Sequence, residues 1–312
     1  MFNFFRSKDA ENLVIIDFMK ARKVAFLMSM TFILVSIFSF FINKLNFGVD
    51  FTGGMLFDIT VDSNKNISDL RKNFLNNGFE DFSIQSYGDK GFIIRVSEKD
   101  ARKYSNKDLT DNEYLQVLKG VLGSFFENKL EYNRVDFVGP QIGRELIVKG
   151  ALALALALLT MMIYIWVRFE FEFGIGAILT LFHDTIVIFG IYSIFKIEFD
   201  LTSIAAILTI IGYSINDSVV IYDRIREYIP KYKNKSLSDI INISLNTTLR
   251  RTLLTSSTTL LSLVILALFG GESIKNFSAI VFLGILIGTY SSIYISAPVL
   301  IYIGVNRKGL KK

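Results

Sequence analysis

The chain has no cysteine. That excludes disulfides and cysteine-based metal sites, and it removes thiol usage as a guide to compartment. It has one histidine, His183. It lacks a G-x-x-x-x-G-K-S/T loop, so nothing points to an ATPase of that type. It also lacks G-x-S-x-G and H-E-x-x-H, so neither the serine-hydrolase nor the zinc-protease signature is present. No catalytic residue and no metal site is expected. Any energy source should be an ion gradient, across which one charge gains about 2.3 kcal/mol per 100 mV.

What the chain does have is apolar sequence. Of 312 residues, 51% are hydrophobic, which is too many for an ordinary soluble chain of this length. The net charge of +5 does not sit on a soluble domain but beside apolar runs. It therefore speaks for membrane orientation and against a nucleic-acid partner. A bilayer span needs about 20 mainly apolar residues. Six runs qualify: Val24–Ile42, Leu146–Val167, Gly174–Phe195, Leu201–Tyr222, Leu253–Phe269 and Phe277–Ile303. The "ALALALALL" alternation in the second is far too long for a strand, so it reads as helix. No cleavable signal is expected, because the first run is long enough to span and no A-x-A-like site follows it.

Basic residues fix the expected orientation. Arg6, Lys8, Lys20, Arg22 and Lys23 precede the first span; Arg224, Arg226, Lys231, Lys233 and Lys235 follow the fourth; Arg307, Lys308, Lys311 and Lys312 follow the sixth. The short loops on the other side carry only Lys196 and Lys275. Both termini are expected in the cytoplasm. Residues 1–23 form a cytoplasmic segment, in which Ser7–Lys23 reads either as an amphipathic interfacial helix or as a topology-setting tail. Residues 304–312 form a basic cytoplasmic tail.

Residues 43–145, between the first span (24–42) and the rest of the bundle (146–303), are polar enough to fold in water. Strand Met55–Val61, helix Ile67–Phe79 stopped by Gly78, hairpin Phe82–Ser97 turning at Gly88–Gly91, helix Asp111–Glu127 and strand Tyr132–Val138 give the order βαββαβ. That is the ferredoxin-like unit. The expected architecture is a polytopic α-helical membrane protein of six spans, with one periplasmic α+β domain between the first and second.

Four polar features interrupt the spans. Asn216 and Asp217 lie inside the fourth; a carboxylate near the middle of an apolar helix costs about 2.5–3.5 kcal/mol on insertion scales. Such acids usually mark ion or substrate routes, although a buried structural pair is the alternative. In the fifth span Arg251, Thr255, Thr258, Thr259 and Ser262 share one helix face and form a polar seam for water or a proton. Threonines bonding to neighbouring helices or backbone explain the seam equally well. Asp217 and Arg251 are near enough the same edge to pair, which would lower the cost of burying both; breaking the pair would let Asp217 take up a proton. His183 and Asp184 in the third span suit either a proton relay or a hydrogen-bonded structural pair. Gly284, Gly288, Ser292 and Ser296 repeat every four residues, a small-residue stripe that favours close helix packing.

The quoted segments, in order, resemble one family. "NFGVDFTGG" (Asn46–Gly54) is similar to its Asp-Phe-Thr-Gly-Gly signature, here Asp50, Phe51, Thr52, Gly53 and Gly54. "VGPQIGREL" (Val138–Leu146), "LFHDTIVIFG", "GYSINDSVVIYDRIRE" and "NTTLRRTLLTSSTTLLS" are similar to its second junction motif and its third, fourth and fifth spans. This is the SecF family of protein-export membrane proteins, which partner SecD and are related to the RND transporters. The resemblance implies an RND-like half that works beside the SecYEG channel, with YajC as a further associate, on unfolded preproteins in the bacterial inner membrane. It implies use of the proton motive force late in translocation, with Asp217 as proton-handling carboxylate, Arg251 as its basic partner and the Gly-Gly segment at the head–membrane junction. No cofactor is implied. A sodium gradient would serve as well, since either ion can engage a carboxylate. Two other readings compete: a proton-driven small-molecule efflux subunit, and an intramembrane aspartyl protease built on Asp184 and Asp217. The protease reading requires facing carboxylates.

Overall fold

The computed structural model describes residues 16–61, 67–80, 82–87, 90–97, 100, 111–126, 130–270 and 272–305. It divides into two compact units, one of residues 1–46 and 153–312, the other of residues 47–152. Two parts of the expected terminal segments lie outside the described residues: 1–15, and 306–312 of the basic tail.

The first unit is a helix bundle. Its spans are α1 (Arg22–Asn43), α5 (Pro140–Arg168, counted here from Ala153), α6 (Phe171–Phe195), α7 (Leu201–Lys231), α8 (Leu237–Phe269) and a sixth built from α9 (Glu272–Ser291), a π-helical turn (Ser292–Ser296) and α10 (Ala297–Ile303). All six are long and apolar enough to cross a membrane. The fourth and fifth helices run beyond their apolar stretches, α7 to Lys231 and α8 back to Leu237, and form a polar helical hairpin. A sharp start explains the α8 extension: Ser236 with Asp239 caps α8 as a reciprocal capping box, as Asp200 with Ser203 caps α7 at its far end. The end of the bundle holding this hairpin and the start of α1 is called the basic end below.

Small residues set the packing. A Cβ on Gly190 of α6 would lie 2.7 Å from the Ser36 Cα of α1, so only glycine lets these two backbones meet. Beside that contact Ser39 and Ser193 share a hydrogen bond of 3.0 Å. The π turn has a local cause. Pro298 has no N–H for a helical bond and its ring crowds the preceding turn. The N–H of Ala297 then reaches back to the Ser292 carbonyl. α6, α7 and the sixth span bury at least half of their apolar windows, whereas α5 buries 6% and α8 17%. Those two helices present apolar faces that suit lipid or another protein.

Before α1, a 3-10 turn (Phe18–Ala21) tucks Phe18 and Met19 into the bundle. The described part of the Ser7–Lys23 segment, from Ile16 on, thus packs on the bundle; the rest lies outside the described residues. Asn246 of α8 bonds the backbone N–H and C=O of Ile16, both at 2.9 Å. Asn242 bonds the Asp17 carboxylate at 2.8 Å and the Met19 N–H at 3.1 Å.

The second unit is the βαββαβ fold. It comprises β2 (Gly54–Val61), α3 (Ile67–Asn76), β3 (Phe82–Tyr87), β4 (Gly91–Val96), α4 (Asp111–Phe125) and β5 (Leu130–Val138); β1 (Asn46–Phe47) and a single helical turn, α2 (Val49–Thr52), come before them. Sheet order is β3-β4-β2-β5 and every pair is antiparallel, the ferredoxin-like arrangement. Strand alternation explains the core: Met55, Phe57, Ile59 and Val61 all point to the helix side and meet Leu70, Phe74, Leu118 and Leu122. α3 ends at Asn76, three residues before the expected end at Phe79, and Gly78 at φ +82° turns the chain away. β5 starts two residues earlier than expected, at Leu130. Residues 88 and 89 of the expected Gly88–Gly91 turn lie outside the described residues.

Candidate functional site

The bundle's centre holds two buried carboxylates. Asp184 of α6 is fully buried and His183, beside it, nearly so. His183 Nδ1 lies 2.8 Å from Asp184 Oδ1. The other carboxylate oxygen accepts hydrogen bonds from Ser214 of α7 at 2.5 Å and Ser291 of α9 at 2.9 Å. Three helices thus converge on one side chain. Their approach depends on Gly288, where a Cβ would stand 3.1 Å from the Ser214 Cβ, and on Gly284, where it would overlap Ile210. Ser292, fully buried, donates to the Thr289 carbonyl. The every-four stripe of the sixth span is therefore the surface on which α7 rests.

Asp217 lies three residues beyond Ser214, on the same side of α7, and is buried. Its hydrogen-bond donor is Thr289 Oγ1 of α9 at 3.5 Å. Thr289 also meets Ser256 of α8 at 3.2 Å, and Tyr213 donates to Ser256 at 3.4 Å. Toward the basic end, Ser296 donates to the Tyr222 hydroxyl at 2.6 Å. A line of hydroxyls therefore follows the α7–sixth-span contact. Two polar atoms along it, His183 Nε2 and Ser218 Oγ, are buried without a partner.

Among the described residues Asp217 and Arg251 are not within salt-bridge distance, although Arg251 is near enough for its charge to act on Asp217. Asp217 turns inward to Thr289, while Arg251 is exposed on α8. Arg251 lines a cleft of about 310 Å³ between α7 and α8, together with Asn216, Asp223, Arg224 and Glu227. Adjacent residues on a helix point about 100° apart, so Asn216 faces the cleft where Asp217 cannot. The hydroxyls of the expected seam match its backbone-bonded reading. Thr255, Thr258, Thr259 and Ser262 each donate to the carbonyl four residues back on their own helix, and all but the half-buried Thr259 are exposed. The buried polar face of α8 is Thr248, Thr252 and Ser256.

The Asp50–Gly54 segment forms α2 and its exit. Val49 and Phe51 are buried, and Thr52 Oγ1 caps back to the Gly48 carbonyl at 3.0 Å. Gly53 at φ +73° and Gly54 at φ +126° turn the chain into β2, conformations other residues adopt at a cost. Gly143 of α5 packs on this turn, where a Cβ would lie 2.8 Å from the Phe51 carbonyl oxygen. At the basic end, sequence reasoning missed two ion pairs that tie α7 to the α5–α6 connection: Arg168–Asp223 at 2.8 Å and Arg226–Glu170 at 2.9 Å. No group of three or more metal-ligating side chains occurs among the described residues.

A family model described as "Protein export membrane protein SecD/SecF, C-terminal" matches residues 118–306, and one described as "SecD/SecF GG Motif" matches residues 38–65. Over 302 residues the chain is 47% identical to the protein translocase subunit SecF of Rickettsia rickettsii, covering 96% of each chain. It is 44% identical to that of Rickettsia prowazekii, covering 96% of this chain and 94% of that one. The chain belongs to the SecF family of protein translocase subunits. Its structure is similar to SecDF, a translocon-associated membrane protein from Thermus thermophilus, with a TM-score of 0.82 and 30% identity over 97% of this chain. It spans 39% of that SecDF chain. A second SecDF structure, described as the super-membrane-facing form, matches with a TM-score of 0.62 and covers 93% of this chain and 39% of that one. Like its SecF relatives, the chain is a multi-pass membrane protein of a transport system, with the Gly-Gly motif placed at Gly53 and Gly54.

Proposed function

We propose that this SecF-type chain works with a SecD partner beside the SecYEG channel, and with YajC, in the bacterial inner membrane. There it uses the proton motive force to promote late translocation and release of exported polypeptides on the periplasmic side. The observation that carries the ion-coupled reading is the pair of buried carboxylates, Asp184 and Asp217, which accept hydrogen bonds from hydroxyls, with the His183 imidazole also on Asp184. An ionised carboxylate only accepts hydrogen bonds, whereas a protonated one must also donate. Serine and threonine hydroxyls serve both states, because each can turn from donor to acceptor. A proton can therefore arrive or leave without stranding a buried partner.

Movement follows from packing. Gly284 and Gly288 leave no spare space against Ile210 and Ser214. A change at Asp217 that rotates Thr289 is felt by the whole α7–α9 contact, since tightly packed interfaces shift between discrete arrangements. α1 and α5 continue covalently into the α+β unit, which gives the chain a route from carboxylate to outer domain. The fit to a SecD partner rests on the exposed apolar faces of α5 and α8 and on the likeness to part of the longer SecDF chain.

Depleting the chain from cells tests this reading. Precursors of exported proteins should accumulate while small-molecule efflux is unchanged. Lost efflux with intact export would favour the RND-type drug-transport alternative.

A further inference from the structure

At the basic end, a cavity of about 440 Å³ opens between the turn before α1 and the first turns of α8. Lys20, Arg22 and Lys23 line it on one side, and Ser238, Asp239 and Asn242 on the other. Three cations on four residues would ordinarily find acids. The two acids of this wall are already engaged. Asp17 accepts from Asn242 and from the Lys20 N–H at 3.1 Å. Asp239 closes the α8 capping box, accepting from the Ser236 hydroxyl at 2.6 Å and its N–H at 3.2 Å. Among the described residues no ion pair involves Lys20, Arg22 or Lys23; Arg22 only stacks over the Tyr302 ring, 5.9 Å from its centroid. Three cations against the two carboxylates Asp17 and Asp239 leave the cavity one net positive charge, and the positive end of the α8 dipole adds to it.

We infer that this cavity binds the phosphate of an anionic phospholipid. Position argues for a lipid and not a free phosphate. Directly after Lys23, α1 presents exposed Val24, Leu27 and Met28 along its length. An acyl chain can lie on that strip while its headgroup sits among the three cations. The floor is rigid, because Asn242 and Asn246 hold the backbone of residues 16–19. A headgroup here would join the start of the first span to the α7–α8 hairpin. This inference is independent of the ion-coupling reading.

The test is native mass spectrometry of the full chain in detergent with equal phosphatidylglycerol and phosphatidylcholine. Wild type should retain phosphatidylglycerol. Lys20→Gln and Lys23→Gln should each weaken retention roughly fivefold, the worth of one basic residue at an anionic surface. The double Lys→Arg variant should keep the lipid, which separates charge from folding. Lys231→Gln with Lys233→Gln, basic residues outside the cavity, should also keep it. Equal loss in that control pair, no loss in the Lys→Gln variants, or displacement of the lipid by millimolar inorganic phosphate would overturn the assignment.

Discussion

Ser214 of the fourth span donates to Asp184 of the third across 2.5 Å, and it can do so because Gly288 of the sixth leaves room behind it. A short polar contact and a close helix–helix approach are therefore one feature. Ser291 completes the hold on the same carboxylate oxygen.

Removing that hold should be measurable. Ser214→Ala should lower the unfolding stability of the purified protein by about 1 kcal/mol. Interhelical hydrogen bonds in membranes average somewhat less than this, and a carboxylate acceptor strengthens them. The Ser214→Ala, Ser291→Ala double variant should lose more than the sum, since it strips both hydroxyls from one oxygen. Thermal denaturation in detergent reads the effect; strict additivity would show that the two bonds do not share a site.

The absence of cysteine makes the α1–α6 contact simple to probe. Ser39 and Ser193 have their oxygens 3.0 Å apart, so Ser39→Cys with Ser193→Cys should oxidise readily to a disulfide. Adding Gly190→Ala should suppress it, because the new methyl would meet Ser36 backbone. Cross-linking that persists undiminished would mean the helices are not held together at Gly190.

A third expectation concerns the docked turn before α1. Asn246→Ala removes both bonds to Ile16, and Asn242→Ala removes those to Asp17 and Met19. Amide hydrogen exchange at Ile16 and Met19 should accelerate in the double variant while α6 stays protected. Unchanged exchange would show that burial of Phe18 and Met19 suffices.

The α+β unit carries a pH signature. Asn133 is the extra residue of a β-bulge opposite Asp58 and Ile59, and it bonds Asp58, Thr60 and the Tyr87 hydroxyl. Tyr87 itself donates to Asp58. Burial first, and then the Asp58 carboxylate, push the Tyr87 phenol above its ordinary value of 10.0, against smaller opposing bonds from Asn133 and Thr60. The folded state thus holds this proton more tightly than the unfolded one. The stability it contributes is present in full below pH 10 and fades as pH rises through the raised value. A phenolate absorbance titration of wild type minus Tyr87→Phe should show one group ionising above 10; ionisation at or below it would contradict the assignment.

Much of this was legible in the sequence, for identifiable reasons. Apolar runs long enough to span, and the βαββαβ order, are written in local periodicity, and both appear as expected. Asp217 was legible as a buried acid because an apolar helix advertises its exception. Its partner was not. Placing Asp217 and Arg251 near the same edge of adjacent helices suggests a pair, whereas the rotation of α8 turns Arg251 out to the cleft and brings Ser256 inward. Polar residues occur on two faces of α8, and hydroxyls that bond to their own helix are tolerated on either. Periodicity therefore does not choose between the two readings of the Thr255–Ser262 face, and the bonds of its hydroxyls to their own carbonyls match the backbone-bonded one. Thr289 and Ser291 sit within a stripe whose small residues read as packing; that they also serve two carboxylates depends on helices 72 and 107 residues away in sequence.

The most direct test of ion coupling uses inverted membrane vesicles containing the chain, SecD and the export channel. ATP-driven movement is stopped midway, and completion of preprotein translocation is followed with and without an imposed proton gradient. Asp217 as the coupling carboxylate requires that the gradient speed completion in wild type and leave Asp217→Asn unaffected. An equal response in both would contradict it and make Asp217 a structural polar residue.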